Sequence, residues 1–183
     1  MGVFDESKCD CCVCPMQCVL KELVGLNAGD VGIITPTFVN DNLIINNAKY
    51  FTAFTTFGSI PISQVTLAAT FDPTIPVEIN KPIKKSKGEC ACCEDPITNL
   101  AKSQIGEIVE IEFVGPELFS STRVEIIDVQ EGIVIGRNFG NPNETDFLSS
   151  CAITRITPFN QQQINNQPRF SSFLQLKESP PAT

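Results

Sequence analysis

The sequence predicts a mainly β protein with short helices, built as a tandem duplication of one helix-plus-small-β-barrel domain. Three observations carry this. Cys9-x-Cys11-Cys12-x-x-Pro15 recurs as Cys90-x-Cys92-Cys93-x-x-Pro96, and Gly25 and Gly106 stand ten residues after each Pro, so the motif repeats at an offset of 81. After each Gly, apolar and polar residues alternate in short runs broken by Asp, Asn and Gly, as half-buried strands do. With 183 residues, 42% hydrophobic and 19% charged, the chain has apolar material for one ordinary domain or two small ones. Closing a short sheet on itself is the economical way to remove its edges at this size.

The elements follow in order. Residues 1–14 form a cysteine-rich N-terminal segment, and the first copy spans 15–71. Its helix is expected from Pro15 to Val24, because Pro suits the first helical turn and Gly25 the left-handed position past the end. Strand-like runs follow at Val31–Phe38, Leu43–Asn46, Tyr50–Phe57 and Ile60–Ala69. Residues 72–89, with three prolines and Lys84, Lys85 and Lys87, read as a solvated linker. The second copy spans 90–159, with a helix expected from Pro96 to Ile105 and runs at Ile108–Val114, Arg123–Val129, Gly132–Phe139 and Leu148–Ile156. Ser63-Gln-Val65-Thr66 closes the first copy and Cys151-Ala-Ile153-Thr154 the second, now at an offset of 88, so the extra seven residues belong to loops. Val31, Ile33, Leu43, Ile45, Val109, Ile111, Val124, Ile126, Ile133 and Ile135 are expected to point inward. Residues 160–183 form an Asn/Gln-rich tail whose Phe170, Phe173, Leu174 and Leu176 are expected to fold back on the barrels.

The segments VLKELVG (19–25), VGIITPTF (31–38), LIINN (43–47) and SIPISQVT (59–66) stand in the order helix, Gly, three strands and a short apolar strand leading into the last. This pattern resembles the Sm-like small barrels, over about 60 residues of each half. The resemblance implies the fold. The basic and aromatic positions by which that family holds RNA have no counterpart here, so it does not imply the activity.

Composition narrows the chemistry. Thirteen Lys and Arg against 21 Asp and Glu give a net charge of −8, which repels a phosphate backbone, so no nucleic-acid partner is expected. The absence of His removes Cys-His and Ser-His nucleophile pairs and every imidazole ligand. Asp128, Glu131, Glu144 and Asp146 lie in turn-like segments and read as solvated surface carboxylates. Cys11-x-x-Cys14-Pro15 has the spacing of a redox motif but lacks its βαβ context. No catalytic residue and no resident cofactor are expected, and the chain reads as a non-enzyme. It begins without a basic n-region or apolar h-region and holds no run of about 20 apolar residues, so cytoplasmic synthesis without a membrane span is expected.

The nine cysteines carry the functional reading. Cys9, Cys11, Cys12, Cys14 and Cys18 sit before or within the first turn of the first helix, and Cys90, Cys92 and Cys93 before the second. Thiols at a helix N-terminus are pushed toward thiolate, the form that binds metal and attacks disulfides. Adjacent cysteines on an extended segment diverge and pair poorly with each other, which favours bonds to distant segments or other molecules. These eight are therefore the expected cross-linking residues. Cys151 stands apart on a strand, where a small buried thiol is an equally good reading. The alternative is zinc or copper held by Cys9, Cys11, Cys12, Cys14, Cys90, Cys92 and Cys93, with Cys9-x-x-Cys12 or Cys11-x-x-Cys14 supplying half a zinc site.

Two clusters on one chain make each monomer at least bivalent, and bivalent monomers polymerise. A chain made reduced in a cell oxidises once that cell lyses. Here the sequence resembles the cysteine-rich coat, exosporium and appendage proteins of endospore-forming bacteria in its small size, paired N-terminal cysteines and Asn/Thr/Ile-rich β-structure. The resemblance implies a structural, self-assembling protein of a spore surface or similar extracellular layer or filament. Its expected partners are itself and other cysteine-rich surface proteins.

Overall fold

A computed structural model describes residues 12–75, 89–130 and 132–159. The N-terminal segment through residue 11, most of the linker, Glu131 and the C-terminal tail lie outside the described residues, and the tail's expected fold-back with them. Among the described residues the chain is mainly β, with two helices and antiparallel sheets.

In the first half, α1 (Val13–Glu22) precedes β1 (Val31–Thr35), β2 (Phe38–Asn40), β3 (Ile45–Lys49), β4 (Thr52–Thr55), β5 (Gly58–Pro61), a 3-10 turn (Ile62–Gln64) and β6 (Leu67–Thr70). In the second, α2 (Glu89–Lys102) precedes β7 (Ile108–Phe113), a 3-10 turn (Glu117–Phe119), β8 (Ser121–Gln130), β9 (Ile133–Asn138), β10 (Thr145–Ser149), a 3-10 turn (Ser150–Ala152) and β11 (Ile153–Pro158). Gly25 and Gly106 take φ of +84° and +86°, but the helices stop short of them, at Glu22 and Lys102 rather than at the expected Val24 and Ile105.

Several expected elements differ, among them the run Val31–Phe38, which a turn at Pro36 and Thr37 splits into β1 and β2. The second helix starts seven residues before Pro96, which lies inside it. An interior Pro forfeits one helical hydrogen bond without forcing the chain to stop, so Cys90, Cys92 and Cys93 ride on the helix rather than on an extended segment ahead of it. Tyr50 and Phe51 leave the expected strand for a two-residue turn, both at positive φ, with the Phe51 N–H donating to Gln17 Oε1 at 2.9 Å. Short 3-10 turns split the runs Ile60–Ala69 and Leu148–Ile156 into two strands each.

The eight-stranded sheet has the order β11-β7-β8-β9-β10-β6-β1-β2, and β3-β4-β5 form a second sheet. The two halves were expected to form separate barrels, each closed on itself. Instead β6 of the first pairs with β10 of the second, from Leu67↔Leu148 to Thr70↔Thr145, so one sheet runs through both. The reason is burial. β6 is buried at every position and β10 at all but the first, and strands covered on both faces lie inside a sheet rather than at its edge.

Alternate residues of these central strands feed two cores. Ile33, Ala68, Ile135 and Phe147 join α1, β3 and β4 in one, whereas Ile34, Leu67, Val134 and Leu148 join β7, β8, β11 and α2 in the other. All ten residues expected to point inward have no exposed surface.

The halves share local geometry beyond their motif. Gly25 N–H donates to the Ile45 carbonyl and Gly106 N–H to that of Ile126, twenty residues downstream in both. Ile62 N–H bonds the Phe51 carbonyl as Ser150 N–H bonds that of Gly132, each opening a 3-10 turn. In each half the first strand pairs with both the second and the last strand.

Candidate functional site

Cys12 is the N-cap of α1 and forms a disulfide with Cys151, in the last 3-10 turn, with a Cα–Cα separation of 6.1 Å. The position follows from packing. Met16, Val19 and Leu20 seat α1 on the first core beside β10, which brings the helix start over the turn that ends β10. Cys12 is 8% exposed and Cys151 is exposed. The Ser150 hydroxyl lies 3.7 Å from Cys12 Sγ. A cavity of about 250 Å³ opens against the bond, bounded by Cys12, Val13, Pro36, Val114, Cys151 and Ala152.

Cys12 was expected to cross-link chains; it is bonded within its own. Cys151, for which a buried thiol was an equal reading, is neither buried nor a thiol. Cys14 is also disulfide-bonded, and Cys18 is a free, half-buried thiol packed against the first core. Cys9 and Cys11 lie outside the described residues, as do the side chains of Cys90, Cys92 and Cys93. Among the described residues no three Cys, Asp or Glu side chains gather as a metal site would require.

The expectation that Glu144 and Asp146 are solvated is corrected. Each is 1% exposed. Asp146 Oδ2 accepts from the Thr122 hydroxyl at 2.9 Å and from Asn138 Nδ2 at 3.5 Å, while Glu144 Oε2 accepts from Asn141 Nδ2 at 3.4 Å. Burial, and then the Asp146 charge, push the Glu144 carboxyl well above its usual range; burial also raises Asp146, against the hydrogen bonds from Thr122 and Asn138. Asp146 Oδ1 is buried without a hydrogen-bond partner, and a proton retained on Glu144 keeps the two carboxyls from both being charged. The donors present suit carboxyl oxygens, not a cation, and the pair reads as structural. The turn-forming string Asn141-Pro-Asn-Glu144 concealed it; the one available signal was Asp146 directly before the apolar Phe147-Leu148.

No known protein family, characterised protein or solved structure matches the chain. No described helix is long and apolar enough to cross a membrane.

Proposed function

We propose that the protein is a structural, self-assembling building block of a spore surface or similar extracellular layer or filament, cross-linked by intermolecular disulfides. The observation that carries this reading is the Cys12–Cys151 bond. It fastens the N-terminal cysteine run to the folded body at the far end of the second half. A bond made through that run to another chain therefore loads the packed cores and not a loose tail. The fold is proposed as two fused copies of an Sm-like barrel unit, supported by the matching glycine and 3-10 hydrogen bonds and by the equivalent pairing of first and last strands. In this reading the β10–β6 ladder is the contact between copies. The chain is proposed to act as a non-enzyme.

The test is to oxidise purified full-length protein and compare its mobility with and without reductant, with metal analysis of the same reduced sample. Thiol-dependent high-mass species support the reading. A clean monomer carrying stoichiometric zinc or copper overturns it in favour of a metal-binding cysteine cluster.

A further inference from the structure

The Cys12–Cys151 bond is built asymmetrically. Cys12 is enclosed, caps a ten-residue helix, and has the Ser150 hydroxyl 3.7 Å from its sulfur; Cys151 is exposed, and both residues border the 250 Å³ cavity. Thiol–disulfide exchange needs an approach to one sulfur and a good leaving group at the other. We propose that this disulfide is an exchange site: a cysteine thiolate of a second copy attacks Cys151 Sγ, forms an interchain bond and expels Cys12 as thiolate.

The step balances without an oxidant. The thiol's proton goes to solvent, one S–S bond forms, one breaks, and the electron pair of the broken bond stays on Cys12 Sγ. That thiolate is stabilised by the N-terminal end of α1 and by a hydrogen bond from Ser150, both of which favour Cys12 over Cys151 as leaving group. An internal lock is thereby exchanged for a cross-link, and Cys12 is left as an enclosed thiolate. The attacker's identity as a second copy rests on the assembly reading; the direction of exchange does not.

The experiment uses a monothiol, so it needs no assembly. Oxidised full-length protein is exposed briefly to limiting reduced glutathione under native conditions, quenched with N-ethylmaleimide and mapped by mass spectrometry. Glutathione on Cys151 with maleimide on Cys12 is expected, about tenfold over the reverse placement, and Ser150→Ala should slow adduct formation by a factor of about three. Glutathione mainly on Cys12, adducts at neither sulfur of the folded protein, or maleimide on both cysteines before glutathione is added would each overturn the proposal. If glutathione adds at Cys151 while the oxidised chain stays monomeric on non-reducing gels, the exchange site stands and the assembly reading falls.

Discussion

Two adjacent buried carboxyls cannot both ionise cheaply, and that gives Glu144 and Asp146 a consequence for stability. Both are raised above their ordinary values, chiefly by burial. Above the ordinary carboxylate range the folded chain keeps a proton that the unfolded chain has released, so unfolding releases protons and stability falls as pH rises, at most about 1.4 kcal/mol per pH unit for one group. The melting midpoint should therefore decline between about pH 5 and about pH 9, and Glu144→Gln, which keeps a donor but cannot ionise, should flatten the decline. An equally steep decline in the variant would refute the retained proton. Gly136 offers a second prediction at this scale. A Cβ there would meet the Val124 Cβ at 2.5 Å, across the β8–β9 pair. Gly136→Ala should cost about 1–3 kcal/mol, read as a lower denaturation midpoint. The core residues of β7 and of β8 as far as Ile126 were legible because alternation there follows burial directly. The carboxyl pair was not, since Asn, Pro and Glu in a turn look the same whether a neighbouring strand covers them or water does.

Elements were legible where a local signal acts alone and obscured where tertiary contacts decide. Gly25 and Gly106 take positive φ by their own backbone freedom, whereas Tyr50 and Phe51, good strand formers, take up a turn that Gln17 and the first core hold in place. The sheet edges show a further device. β10, before one 3-10 turn, pairs with β6, after the other; the equivalent strands, β5 and β11, lie at sheet edges. Pro61 pairs opposite Thr52 with the Ile62 N–H donating to Phe51, and Pro158 opposite Val109 with the Phe159 N–H donating to Ile108, so both proline nitrogens face away from their partner strands. Neither costs a ladder bond, and each blunts an edge that would otherwise repeat the β10–β6 contact with another chain. Pro61→Ser with Pro158→Thr should restore two outward donors and give concentration-dependent association that persists in reductant, measurable by sedimentation. A double variant that stays monomeric in reductant would show that these prolines do not guard the edges.

At the scale of the whole molecule, the repeat was legible in sequence but its consequence was not. An offset of 81 marks a repeated motif; it says nothing about whether each sheet closes on itself or joins its neighbour's, which the two-sided burial of β6 and β10 decides. The same limit hid the disulfide, because no spacing rule links Cys12 to a cysteine 139 positions away. That bond ties the start of the first helix to the last 3-10 turn and so encloses nearly all of both cores. Closing so long a loop restricts the unfolded chain by up to about 5 kcal/mol on the chain-entropy account, with measured values more often about 2–4 kcal/mol. The cores of both halves remain without it, so Cys12→Ser with Cys151→Ser should still fold, with stability lowered by that amount and a steeper denaturant transition, because the unbridged unfolded chain is less compact. Reduced wild-type protein provides the comparison. If Cys12–Cys151 alone carries the effect, the reduced wild type and the double variant will unfold together; if the Cys14 disulfide contributes, the reduced wild type will unfold first. A double variant as stable as the oxidised wild type would mean that the bond restrains nothing the cores do not already hold.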